Sequence, residues 1–205
     1  MSREEAVVIR YDAPDREGGR DIVYLHGRGS SEREAGWALP LFGRSTVRSY
    51  RGPLPEGAGF AWFHNMGIGV AAPDSLAEQS ARVGDWIAAD RGGRLPWLCG
   101  FSNGAAMAAA LMLADPGAYA GLVMIGGCFA VPARNLPAGA LSGKPVLFCR
   151  GREDMVIPLA KFREAEAYLT GPSNAHASVL IHDGGHELPL PVASRVRNWL
   201  DAADH

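Results

Sequence analysis

Seven short apolar runs recur along this chain, most of them followed by a longer segment of helical period. The runs are 6–11 (AVVIRY), 21–27 (DIVYLHG), 45–52 (STVRSYRG), 95–101 (LPWLCGF), 121–127 (GLVMIGG), 144–151 (KPVLFCRG) and 176–183 (HASVLIHD). Several are continuously hydrophobic rather than alternating. A strand with one wet face alternates apolar and polar side chains, whereas a strand covered on both faces has no need to. The intervening segments read as helices. Ser75 is expected to cap one, with Glu78 completing a capping box and Gly92 just past its end. Residues 103–114 (NGAAMAAALMLA) form an alanine-rich helix stopped by Asp115-Pro116. Residues 158–170 open with Pro158 and put Phe162, Ala165 and Leu169 on one face, and 191–203 do the same with Val192, Val196, Trp199 and Leu200. Strands alternating with helices of this length pack as a mostly parallel sheet of about seven strands with helices on both faces, an α/β fold. At 205 residues the whole chain, 1–205, is expected to make one such domain.

Composition narrows the function classes. A net charge of −2 and a pI near 6.3 supply no basic field for nucleic acid. No apolar run approaches the ~20 residues that span a bilayer, so stable membrane insertion is not expected. The N-terminus, MSREEAVVIR, is acidic where a secretory signal would be basic and then apolar, which argues for a cytoplasmic protein. Cys99, Cys128 and Cys149 each sit in or beside an apolar run, a placement suited to reduced, packed thiols; a reactive thiol is the sharper alternative. Residues 52–74 break the rhythm. They carry no clear period, many Gly and Pro, and a cluster of Phe60, Trp62, Phe63 and Met66. A loop pinned to the core by its aromatics and a wall over a substrate groove are equally consistent with that composition.

Chemistry concentrates at Gly100-Phe101-Ser102-Asn103-Gly104. In a G-x-S-x-G elbow the serine sits on a sharp strand-to-helix turn, and the glycines two before and two after crowd together, so neither position accommodates a side chain. Here a buried run precedes the pentapeptide and an alanine-rich helix follows it. The helix N-terminus then directs its free N–H groups to where negative charge develops. The alternative is a strand–helix turn with an incidental serine.

A serine hydroxyl needs a neighbouring base. In folds with this elbow, acid and histidine follow the serine in that order. Of His176, His182, His186 and His205, the third stands in a glycine-rich loop (GGHEL) between the last apolar run and the final helix, free to swing over a sheet edge. The spacing of His182 and His186 invites a metal reading, but two glycines between them oppose the helical turn that would align both, and no third ligand is in view. Asp154, directly after the run PVLFCRG, is the favoured acid; Glu153 and Asp183 are the alternatives, and a helix-cap role for Asp154 competes. Leu25-His26-Gly27-Arg28-Gly29 closes an early strand and resembles a loop that lends a backbone N–H to an oxyanion. The donors would be the N–H groups of Arg28 and Asn103. A phosphate-loop reading of GRGSS fails for want of the lysine and spacing.

Taken in order, LHGRG (25–29), RGP (51–53), AWF (61–63), GFSNG (100–104), GREDMVIP (151–158) and GGHEL (184–188) resemble the phospholipase/carboxylesterase family of small α/β-hydrolases, which includes the acyl-protein thioesterases. The resemblance implies an α/β-hydrolase fold and a cofactor-free, metal-free serine esterase acting on a small-molecule acyl ester through an acyl-enzyme. The triad would be Ser102, Asp154 and His186, the oxyanion donors Arg28 and Asn103. Trp62 and Phe63 would line the substrate site, with Met155 and residues 52–74 over the groove. Two positions depart from the family habit: Arg28 where an apolar residue is common, and Asn103 where glutamine is common. A thioesterase is the nearest alternative, and a ligand receptor on the same fold the remaining one. Oligomeric state stays open, a homodimer included.

Overall fold

A computed structural model of the protein describes residues 5–12 and 19–203. In chain order its strands are β1 (Val8–Tyr11), β2 (Asp21–Leu25), β3 (Thr46–Tyr50), β4 (Leu54–Glu56), β5 (Gly59–Ala61), β6 (Asn65–Gly67), β7 (Val70–Ala71), β8 (Trp97–Phe101), β9 (Leu122–Ile125), β10 (Pro145–Gly151) and β11 (His176–His182). The α-helices are α1 (Ala35–Ala38), α2 (Pro73–Ala89), α3 (Asn103–Ala114), α4 (Leu159–Leu169) and α5 (Leu190–Ala203).

Among the described residues, the apolar runs become one seven-stranded sheet in the order β1-β3-β2-β8-β9-β10-β11. Only β1 is antiparallel to its neighbour. Continuous hydrophobicity is explained by burial on both faces. Leu98 and Met124 belong to one buried cluster with α3 and α4, while Cys99 and Val123, pointing the other way, join a second cluster with α1 and α5. Side chains of one strand thus feed two cores, as period-2 geometry requires. Register then sets the site. Leu25 pairs with Gly100, Phe101 with Ile125, Ile125 in effect with Cys149, and Gly151 with His182. The loops that leave β2, β8, β10 and β11 therefore emerge along one sheet edge, the carboxyl edge where open α/β sheets place ligands.

Three details differ from the expectation. The α2 helix starts at Pro73 after the uncapped Ala72, not at Ser75, because proline presets the dihedral of a first turn. The Ser75 hydroxyl instead accepts from the His64 N–H (3.0 Å), and Glu78 pairs with Arg82 one turn on. Residues 52–74 are not irregular: β4–β5 and β6–β7 are two antiparallel hairpins. Residues 32–41 wind into 3₁₀ turns flanking α1, which the apolar pattern did not announce. Among the described residues no helix is long and apolar enough to cross a membrane.

Candidate active site

Ser102 stands between β8 and α3 with φ 53° and ψ −115°, a left-handed backbone for a residue that has a Cβ. Strain of that kind persists only where the surroundings over-determine it. They do so here by close approach. A Cβ on Gly100 would lie 2.3 Å from the Gly104 carbonyl oxygen, and one on Gly104 would lie 2.0 Å from that of Leu25. Both elbow glycines are therefore required, and the second is required by the neighbouring strand as well as by the turn. The Ser102 N–H donates to the Ile125 carbonyl (2.8 Å), tying the elbow to β9, and the Ser102 carbonyl accepts from Ala105 and Ala106 at the start of α3.

His186 reaches Ser102 from the loop after β11. Its Nε2 is 3.0 Å from the Ser102 Oγ and its Nδ1 is 2.7 Å from the Asp154 Oδ2. The two loops that carry His186 and Asp154 are joined by backbone bonds, Arg152 N–H to the His182 carbonyl (2.6 Å) and Glu153 N–H to that of Gly184 (3.1 Å). Gly151 lets them meet, since a side chain there would lie 2.1 Å from the Gly185 oxygen. Asp154 uses both carboxylate oxygens: Oδ1 accepts from the N–H groups of Val156 and Ile157, while Oδ2 faces the imidazole. Asp154 does not cap α4, which begins at Leu159 after Pro158: its Oδ1 closes a local turn on two N–H groups that precede the helix, its Oδ2 faces the imidazole, and the side chain is only 1% exposed. Of the alternative acids, Glu153 is exposed and Asp183 is turned outward to Arg152. The His182 ring accepts from the Gly184 N–H, away from His186. All three cysteines are free and buried, and burial pushes their thiols up, Cys128 to about 11 and Cys149 to about 12. The reactive-thiol alternative loses its thiolate by that shift.

Ser102 and His186 open into a cleft of about 320 Å³. Phe63, Ile68, Ala106, Ala130, Val156 and Ile157 make its apolar wall; Arg28, Glu34 and Asn103 are among its polar members. Arg28 and Asn103 flank the serine, and Asn103 opens α3, where the first N–H groups have no intrahelical acceptor. The loop that carries Arg28 is held from behind. Gly29 N–H donates to the Phe60 carbonyl and Phe60 N–H to that of Ser30, both 2.8 Å, so β5 pairs with the loop.

The arrangement is a strained serine, an imidazole within hydrogen-bond reach of it, and a buried carboxylate on the imidazole's other nitrogen. A model of phospholipase/carboxylesterase proteins matches residues 56–203, most of the chain, Ser102, Asp154 and His186 included. The chain belongs to the phospholipase/carboxylesterase family. Similar curated proteins include the esterase YpfH of Escherichia coli (strain K12), 28% identical over 190 residues that cover 86% of this chain and 79% of YpfH. MhqD of Bacillus subtilis (strain 168) is 28% identical over 193 residues, covering 89% of this chain and 92% of MhqD. Among solved structures, the Bacillus cereus carboxylesterase superposes with a TM-score of 0.84 at 21% identity, covering 97% of this chain and 94% of that one. That superposition shows the fold.

For a phospholipase/carboxylesterase, two of the expected lining residues sit elsewhere. Phe63 does line the cleft, but Trp62 is fully buried behind it, its indole N–H donating to the His26 carbonyl (2.7 Å). Met155 is 93% exposed and lies outside the cleft; its neighbours Val156 and Ile157 take the lining positions. Sequence reasoning took His26 only as part of the LHGRG loop, with no role for its side chain, and passed over Glu34. His26 is wholly buried, with Nδ1 against the Gly27 carbonyl (2.7 Å) and Nε2 accepting from the Gly52 N–H (2.9 Å). The Asn103 side chain accepts from the Trp62 N–H (3.0 Å), so it anchors the aromatic segment while its backbone faces the cleft. A histidine at the end of a continuously apolar run was the one available signal for His26. Nothing in the apolar pattern marked Glu34, because the helical turn that carries it was itself unmarked.

Proposed function

We propose that this phospholipase/carboxylesterase family member hydrolyses a small carboxylic ester through an acyl-enzyme formed on Ser102. Ser102 Oγ attacks the ester carbonyl as His186 Nε2 takes its proton, and Asp154 stabilises the resulting imidazolium. The N–H groups of Arg28 and Asn103 receive the negative charge on the carbonyl oxygen. Collapse of the tetrahedral adduct breaks the ester C–O bond, and the imidazolium returns its proton to the departing alcohol. A water then enters, loses a proton to His186 and attacks the acyl carbon, releasing the acid and restoring the Ser102 hydroxyl.

The observation that carries this reading is the pair of contacts on one imidazole, 3.0 Å to the serine and 2.7 Å to the aspartate. Ester specificity is tested with a panel of p-nitrophenyl esters of increasing chain length and a matching thioester set. A fluorophosphonate probe tests the nucleophile. Labelling of the wild type that disappears in Ser102→Ala is the expected result, and an unlabelled wild type defeats the proposal. Asp154→Asn should keep the fold yet lower kcat by roughly 10⁴, because an amide holds the wrong tautomer.

A further inference from the structure

The cleft contains a charge that the proposed reaction does not use. Glu34 lies on the helical turn after the oxyanion loop, and that turn is started by Ser31, whose hydroxyl accepts from the Arg33 N–H (3.3 Å). Its Oε1 accepts two hydrogen bonds, from the Gly27 N–H (3.0 Å) and from the Tyr24 hydroxyl (2.8 Å). Tyr24 is buried, and burial first, then Glu34 itself, pushes its phenol well above the ordinary value, so it stays a donor. Aromatic rings fence the turn: Trp37 meets both Tyr24 and Phe101 edge-on, and Phe101 packs 5.0 Å from the His186 ring. Glu34 is therefore fixed beside Gly27 while lining the same cleft as Ser102, Asn103 and His186.

The other charges around the cleft are compensated. Arg28 leans away to Glu56 on the β4–β5 hairpin (3.1 Å), Lys161 pairs with Glu164, and Asp154 faces His186. Among the described residues no Lys or Arg pairs with Glu34. A carboxylate held in a partly desolvated cleft acts on a second charge a few ångströms away more strongly than it would in water. Its anchoring bonds do not require that charge, since a glutamine carbonyl can accept from the same two donors.

We infer that Glu34 makes the cleft select substrates by charge, favouring esters with a cationic group near the reacting carbonyl and disfavouring those with an anionic group there. This rests on the hydrolytic reading above. The test compares kcat/KM for p-nitrophenyl 4-(trimethylammonio)butanoate with its uncharged isostere, p-nitrophenyl 5,5-dimethylhexanoate. Mono-p-nitrophenyl glutarate is compared likewise with its methyl ester. Each charged ester is divided by its own isostere, so a general loss of activity cancels. In the wild type the cationic ratio should exceed the anionic ratio by roughly tenfold or more, and Glu34→Gln should bring the two within about threefold of each other. Glu34→Ala, which also frees the Gly27 N–H, should lose more kcat than Glu34→Gln on every ester, with melting curves confirming that both fold. Equal ratios in the wild type, or unequal ratios that survive in Glu34→Gln, overturn the inference. Fluorophosphonate labelling of Ser102 is run beside it: labelling with the wrong ratios sinks only the role of Glu34, whereas no labelling of the wild type removes the hydrolytic reading and this inference with it.

Discussion

His26 has no solvent-exposed surface, and an imidazole in that position is disfavoured as a cation. Burial is the largest influence on it and lowers its pKa; the Gly27 carbonyl and the carboxylates of Glu34 and Glu32 oppose the shift without reversing it. A neutral ring suits its bonds, since Nε2 must keep a lone pair for the Gly52 N–H while Nδ1–H donates to the Gly27 carbonyl. The unfolded chain then binds a proton more readily than the folded one, so stability rises with pH. That contribution is present in full above about pH 6.5, the unfolded imidazole value, and is lost as the pH falls below it. Melting temperature should drop on acidification, and the slope should flatten in His26→Asn. A variant slope as steep as the wild type's would place the titrating group elsewhere. At the same scale, Gly104→Ala is expected to leave no active protein in the soluble fraction, because its methyl would occupy the space of the Leu25 carbonyl oxygen.

At the scale of elements, α3 carries the most constraint. Its alanines at 105, 106, 108 and 109 are buried, which brings the helix close to β8 and β9 and holds the Ser102 turn at its N-terminus. Ala105 meets Gly127 so tightly that a side chain on the glycine would lie 2.5 Å from the alanine methyl. Ala105→Val should therefore cost about 1–3 kcal/mol, read as a lower urea midpoint, and should lower kcat more than it raises KM by shifting Ser102. These elements were the legible ones. All seven central strands and α3, α4 and α5 lie where runs and periods put them, because double-sided burial and the small helix face write themselves into composition. That Ser102, Asp154 and His186 meet was readable because the elbow, the strand ends and the glycine loop each left a local mark. The hairpins of 52–74 were not readable: their strands are two or three residues long and held by partners distant in the chain, Gly29 and Ser30 for β5, the Asn103 side chain for Trp62 just after it, and the Ala130 carbonyl for β7. Trp62 and Met155 were misplaced for the same reason, since which residue of a short segment faces a cleft depends on a register that only tertiary contacts set. Ser75 misled because proline outranked it as a helix start two residues earlier.

Considered as a whole, the molecule keeps its candidate site at one edge of the sheet and a buried ion network near the other. Arg48 is 1% exposed; its guanidinium meets Asp21 (2.6 Å) at the start of β2 and Asp90 after α2, with the Tyr50 hydroxyl also on Asp90. The network couples β2, β3 and α2 without touching the cleft. Taking away one member of such a group strands the rest, which typically costs about 3–5 kcal/mol. Arg48→Ala leaves Asp21 half-buried without its partner, so its melting temperature should fall by an amount on the order of 10 °C for a chain of this size. Because Ser102, Asp154 and His186 are fixed by the carboxyl ends of β8, β10 and β11, kcat/KM of the folded variant at low temperature should stay within about threefold of the wild type. Both numbers are needed. A melting temperature that does not move would mean that the ion network is stabilised no better than a solvated surface pair. A large fall in kcat/KM with the fold intact would mean instead that the two edges of the sheet communicate, and that the geometry at Ser102 depends on the α2 side of the molecule as well as on the strand ends that carry it.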